Sequence, residues 1–179
     1  MKPSFDGAII FELTNQRNGL GSYTIRPLGP FALNEVFVKK DIPSTVINYV
    51  DFWNPELLAK DLLTWCKNNN IKNPFILGSS LFNNDTLDPR MPFAITVGIL
   101  KQHLDCTVIL GGPNSFYEYN SVNGQTNCGK PLLKPDYIFK GRALHLFEGW
   151  IDGSVEIHFA NVDGLTVTKS ADSTIVESP

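Results

Sequence analysis

Thr107-Val108-Ile109-Leu110-Gly111-Gly112-Pro113-Asn114 is the stretch whose reading decides the fold. Four apolar or β-branched residues run straight into two glycines and a proline. The run is too short for a helix and reads as a buried strand ended by a turn. Glycines at the end of such a strand carry no side chains, so another backbone or a ligand can come close. An earlier run, Pro74-Phe75-Ile76-Leu77, ends in the same manner at Gly78-Ser79-Ser80-Leu81-Phe82. Two strands with small residues at their carboxyl ends are expected to lie side by side. In open α/β sheets that is the end where ligands bind.

Outward from these strands the chain alternates. Ala8–Leu13 reads as a first strand, and a helix starts near Pro30 with Phe31, Leu33, Val36 and Phe37 facing inward. Pro43–Val50 is β-branched and predicts a second strand. Asn54-Pro55-Glu56 has the order of an N-cap and the first helical positions. The helix it opens runs to about Lys67, with Leu57, Leu58, Leu62, Leu63 and Cys66 as its apolar stripe. A third strand covers 75–79, a helix runs from Pro92 to about His103, and a fourth strand covers 107–110. Asp136–Gly141 is a fifth strand and Ala143–Ile151 a further helix. The alternation predicts an α/β fold: three layers, doubly wound, with a mostly parallel five-stranded sheet of Rossmann-like or flavodoxin-like type. The expected division is an α/β domain over 1–153 and a short β extension over 154–179. Val155–Phe159 and Leu165–Thr168 would form a hairpin or linker there.

Composition narrows the function. The chain has 179 residues, 42% of them hydrophobic, enough for a sizeable core. Its net charge is −3 and its 15 basic residues are scattered, so no stripe tracks a nucleic-acid backbone. No apolar run reaches the roughly 20 residues that span a bilayer, and the first residues lack a signal peptide's apolar region. The expected location is the cytoplasm, with no membrane or nucleic-acid partner. Cys66, Cys106 and Cys128 form no metal-ligand spacing. No phosphate loop, dinucleotide fingerprint or carboxylate dyad occurs, so no catalytic residue and no metal ligand is expected. His103, His145 and His158 read as surface or satisfied residues rather than ligands. Phe116, Tyr117 and Tyr119, in the long loop from Asn114 to Pro135, could cover a flat ligand or pack that loop onto the sheet.

Four segments, in order, carry a resemblance. They are Ser79-Ser80-Leu81, then Gly111-Gly112 with 29 residues between Leu81 and Gly111, then Pro135–Gly141, then Val162–Val167. Together they resemble the cobalamin (vitamin B12)-binding domain found at the N-terminus of many radical S-adenosylmethionine proteins, over roughly residues 6–168. The resemblance implies a cobalamin-binding module. Its site would be formed by Gln16, Arg17, Asn18, Gly19, Ser79, Ser80, Leu81, Gly111, Gly112, Pro113, Asn114, Phe139, Gly141 and Arg142. Many members of the family carry a cobalt-ligating His where Gln16 stands here, and an amide is a poor cobalt ligand. The implied cofactor is therefore base-off cobalamin without a protein His ligand. The family's Gly-Glu after the last strand is Gly141-Arg142 here. The chain has no CxxxCxxC, so the resemblance implies an iron–sulfur cluster and S-adenosylmethionine only for a C-terminal radical domain of a longer, methyltransferase-like parent. An alternative is a degenerate cobalamin-domain fold that has lost the cofactor and docks a substrate or partner. Gly111-Gly112 can equally be a tight turn with no ligand, and Ser79 and Ser80 local backbone caps.

Overall fold

The apolar run Gly7–Leu13 forms strand β1, and every residue in it is buried. A strand buried on both faces needs strands on either side and helices above and below, the arrangement of a parallel α/β sheet. The computed structural model describes residues 3–13, 28–80, 87–112, 133–140, 144–157, 159–162 and 165–168. After β1 come α1 (Leu28–Val38), β2 (Ser44–Ile47), a 3-10 turn (Val50–Phe52), α2 (Pro55–Asn68) and β3 (Pro74–Ser80). Then follow α3 (Pro92–His103), β4 (Thr107–Gly112), β5 (Tyr137–Lys140), α4 (Leu144–Asp152), β6 (Phe159–Val162) and β7 (Leu165–Thr168).

The strand order is β2-β1-β3-β4-β5-β7-β6. The first five strands are mutually parallel, as the alternation of elements predicts. Strand β7 joins β5 in parallel through Ile138 and Val167, and β6 closes that edge antiparallel. Helices α2 and α3 cover one face, packing Leu58, Leu62, Cys66, Phe93, Val97 and Leu100 on Ile9, Phe11, Leu13, Ile76, Val108 and Leu110. Helices α1 and α4 cover the other, packing Val36, Phe37, Phe147, Trp150 and Ile151 on Ala8, Ile10, Phe75, Leu77, Ile109 and Phe139. The order 2-1-3-4-5 is the flavodoxin-like form of the doubly wound sheet. Its connections reverse direction between β1 and β3, and ligands sit at that reversal, beyond the carboxyl ends of the strands.

The opposite, amino edge is tied by two aspartates. Asp6, just before β1, accepts the Lys72 and Asn73 amides at 2.8 Å each, immediately ahead of β3. Asp136, just before β5, accepts the Val108 amide of β4 at 2.7 Å and lies 3.4 Å from the Lys101 Nζ. Carboxylates bonded to backbone amides make strong, charge-assisted hydrogen bonds. Both are therefore explained by strand alignment.

Helix ends follow local chemistry. Asn54 caps α2, its Oδ1 accepting the Leu57 amide at 2.9 Å, with Pro55 at the first helical position. At the other end Asn70 takes a left-handed φ of 58°. The Ile71 amide reaches the Cys66 carbonyl at 2.8 Å and the Asn70 amide reaches Lys67 at 3.2 Å, which is a Schellman ending. Gly153, with φ 74°, ends α4.

Four sequence expectations need correction. Strand β2 stops at Ile47 rather than Val50, because Tyr49 turns left-handed (φ 55°) and Val50–Phe52 coil into a 3-10 turn. Leu57 is 63% exposed, and Ala59 takes its place in the buried stripe with Leu58, Leu62 and Cys66. Phe31 is 38% exposed rather than buried, while Val36 and Phe37 are buried as expected. The first arm of the hairpin is Phe159–Val162, not 155–159. Val155 instead packs onto α4 at Gly149, where an added Cβ would meet its side chain, and its amide bonds the Gly149 carbonyl at 3.1 Å.

Candidate functional site

Parallel register lines up the carboxyl ends of the strands. Glu12 of β1 pairs with Ser79 of β3, Ser79 with Gly111 of β4, and Gly111 with Phe139 of β5. One step below, Ile10, Leu77, Ile109 and Tyr137 form the matching row. Ile10, Leu77 and Ile109 belong to the face covered by α1 and α4, and residues two apart in a strand share a face. Glu12, Ser79, Gly111 and Phe139 therefore form one transverse row on the α1/α4 side, at the carboxyl edge.

The glycines of this edge differ in role. A Cβ built on Gly111 meets nothing within 4 Å among the described residues, so glycine leaves open space there. A Cβ on Gly78 would lie 2.7 Å from both Leu110 Cδ2 and Leu13 Cδ1. Gly78 is a packing glycine that lets Leu13 and Leu110 meet over β3. Of the two small-residue strand ends, the space clearance belongs to Gly111, and Gly78 lies beneath it in the core.

The remaining residues implied by the resemblance divide into two groups. Ser79, Ser80 and Gly112 occupy strand positions at the carboxyl edge. Phe139 is there by backbone only. Its ring is 3% exposed and packs into the core 5.4 Å from both the Phe147 and Trp150 rings, so it offers no stacking platform to a ligand. Gln16, Arg17, Asn18, Gly19, Leu81, Pro113, Asn114, Gly141 and Arg142 lie outside the described residues.

Two residues that the sequence reading passed over stand at this edge. Glu12 is 1% exposed, the one acidic residue in an otherwise apolar strand. The signal was visible in the sequence as a single charge within Ala8–Leu13. Asn48 follows β2, whose last paired residue, Ile47, opposes Phe11. The Asn48 Oδ1 is buried without a hydrogen-bond partner among the described residues, while its main-chain oxygen accepts the Trp53 Nε1–H at 2.9 Å. Tyr49 is next, and its left-handed backbone is uncommon for a bulky residue. Local strain of that kind concentrates at functional turns. The same turn exposes Phe52 and Trp53, 70% and 49%.

Other reactive groups are accounted for. Burial pushes the Cys66 thiol up to about 11 and the Cys106 thiol up to about 12, so both are poor nucleophiles at neutral pH. His103 and His145 sit on exposed helix surfaces. No cluster of His, Cys, Asp and Glu able to hold a metal occurs among the described residues. No helix among them is long and apolar enough to cross a membrane. A shallow depression of about 290 Å³, lined by Glu56, Lys60, Leu63, Thr64, Lys67 and Ile99, runs along the outside of α2 and α3. It does not open onto the Glu12–Gly111 row and has no buried polar side chain in it.

Compared with protein-family models, curated proteins and solved structures, the chain matches none.

Proposed function

We propose that the domain is a small-molecule-binding module whose carboxyl edge holds a cobalamin. The observation that carries this reading is the open space over Gly111, in register with Ser79, one strand from the reversal between β1 and β3. A bulky, flat cofactor needs such a gap, because any side chain at Gly111 would project into it. The Phe139 ring, next in the row, packs into the core against Phe147. When bound, cobalamin supplies a cobalt centre able to carry a methyl group. The chain's own part is to bind and orient it through strand-end backbone groups. The finer reading, which rests on the resemblance of Ser79–Leu81, Gly111-Gly112 and Pro135–Gly141, is a cobalamin carrier working with a radical S-adenosylmethionine domain of a longer parent.

The test is titration of the protein with hydroxocobalamin, read by visible absorbance, in wild type and Gly111→Trp. Wild type should bind saturably, with a spectrum of the base-off type. Gly111→Trp should stay folded, since the space at Gly111 is open, yet bind at least about tenfold more weakly. Wild type that leaves the spectrum unchanged at high micromolar cofactor refutes the reading.

One observation favours a second reading, a docking domain without cofactor. Phe52, Trp53 and Leu57 are large apolar side chains left exposed where β2 turns into α2, and exposed apolar patches mark interaction surfaces. A negative titration turns attention to that surface.

A further inference from the structure

We infer that the outer face of α2 is a contact between two copies of this chain, related by a two-fold axis that sets their α2 helices antiparallel. The inference names a partner for the exposed surface at Phe52, Trp53 and Leu57. It concerns a helix face rather than the carboxyl edge, so it holds or fails apart from cobalamin binding.

Helix α2 has two distinct faces. Leu58, Ala59, Leu62 and Cys66 are buried in the core. Glu56, Lys60, Leu63, Thr64 and Lys67 recur at helical spacing and form one stripe on the outside. With Ile99 of α3 they line the shallow depression of about 290 Å³. Leu57 stands exposed beside this stripe, and exposed Phe52 and Trp53 lead into it. The Trp53 indole is held by its Nε1–H bond to the Asn48 carbonyl. An ordered tryptophan loses little freedom on contact and is the kind of side chain that anchors interfaces.

Charge selects the occupant. Glu56, Lys60, Asp61 and Lys67 are all exposed, and none makes an ion pair with another described residue. The stripe is acidic at Glu56 and basic at Lys67, about 16 Å further along the helix axis. A second α2 laid antiparallel, centred between Asp61 and Leu62, sets Glu56 of each copy opposite Lys67 of the other. The same register brings Asp61 of each copy within one turn of Lys60 of the other. All four charges of the helix then meet opposite charges. Parallel helices in register would set like against like, which is unfavourable. Leu57 of each copy falls opposite the span from Leu63 to Lys67 of the other, where Leu63 and Ile99 give the depression an apolar floor. A contact built around one helix is at the small end of specific interfaces, so association in the micromolar range is expected.

Sedimentation velocity of the full chain, from roughly 1 to 200 µM, tests the inference. Wild type should pass from monomer to dimer across this range. Glu56→Lys sets lysine against lysine at both symmetry-related contacts, and Lys67→Glu sets glutamate against glutamate. Each variant alone should dimerise about tenfold more weakly, or less. An equimolar mixture of the two restores opposite charges at both contacts, and should dimerise within about threefold of wild type. Leu57→Asp should stay monomeric throughout. Thermal unfolding of each variant at the lowest concentration checks that it is folded. A wild type that is monomeric at about 200 µM overturns the inference. So does a dimer that the single charge reversals leave intact, or a mixture that associates no better than either variant alone.

Discussion

Replacing Gly78 and Gly111 by alanine, one at a time, should move stability in opposite directions. Both glycines lie in strands paired on each side, at Phe11–Gly78–Leu110 and Ser79–Gly111–Phe139. Neither has a left-handed backbone. The gain from restricting the unfolded chain is then about the same at both, roughly 0.4–1 kcal/mol. Only the native-state contacts differ. At Gly78 the new methyl would stand 2.7 Å from Leu110 Cδ2 and Leu13 Cδ1, and 3.5 Å from Phe93 Cζ. Carbon atoms settle at about 3.5–4.0 Å, so each leucine methyl must retreat by roughly 1 Å. Leu13 and Leu110 are both 2% exposed and Phe93 fully buried, which leaves little room to retreat. Overpacking of this kind costs about 1–3 kcal/mol. At Gly111 nothing among the described residues lies within 4 Å of the new methyl. The two variants should therefore differ by about 1–3 kcal/mol, or roughly 2–12 °C in Tm at this chain length. Thermal and urea unfolding of the two proteins, with unchanged urea m-values, is the assay. Equal stability of the two variants would refute the argument. A destabilised Gly111→Ala would mean that the space above β4 is filled and would remove the support for a ligand there.

Three further outcomes follow from the described contacts. Asp6→Ala should lose about 1.5–3 kcal/mol in urea unfolding, because it leaves the Lys72 and Asn73 amides without their carboxylate, and Asp6→Asn should lose less. Cys66 and Cys106 should resist a thiol reagent at pH 8 in the native protein and react on unfolding. Their raised values also set a sign. The unfolded thiols lose protons from about pH 8.5 while the native ones hold theirs to about 11 and about 12, so the unfolded state binds fewer protons across that window. Stability should fall as pH rises from about 9 towards 11, and less steeply in a Cys66→Ala, Cys106→Ala double variant.

Much of the fold was legible from local pattern. The β-branched and apolar runs ending in Gly78 and Gly111, the Asn54-Pro55 helix start and the proline at 92 each depend on neighbours within a few residues. Such signals survive in a linear reading. Adjacency of β3 and β4 was expected from the small residues that end both strands, and the pairing of Ser79 with Gly111 agrees. The end of β2 was less visible, because Tyr49 is not a residue type that announces a left-handed turn. The exposure of Leu57 was hidden too: adjacent leucines at 57 and 58 both fit an apolar stripe, and only the angle at which α2 meets the sheet chooses between them. The hairpin arm misplaced to 155–159 is a competition between two apolar runs, settled by Val155 fitting against Gly149.

The sequence by itself determined the layer order, the parallel sheet and the edge at which small residues gather, since periodicity and turn chemistry are properties of short segments. Only the tertiary structure decided what each small residue is for. Gly78 and Gly111 are the same residue in similar strand ends, but one faces leucine side chains from two other strands and the other meets none of the described residues within 4 Å. Phe11 and Ile47 are far apart in the chain and pair only because β2 lies beside β1 in register. Distances between side chains from different strands are fixed by packing of the whole sheet, and no local stretch of sequence contains them.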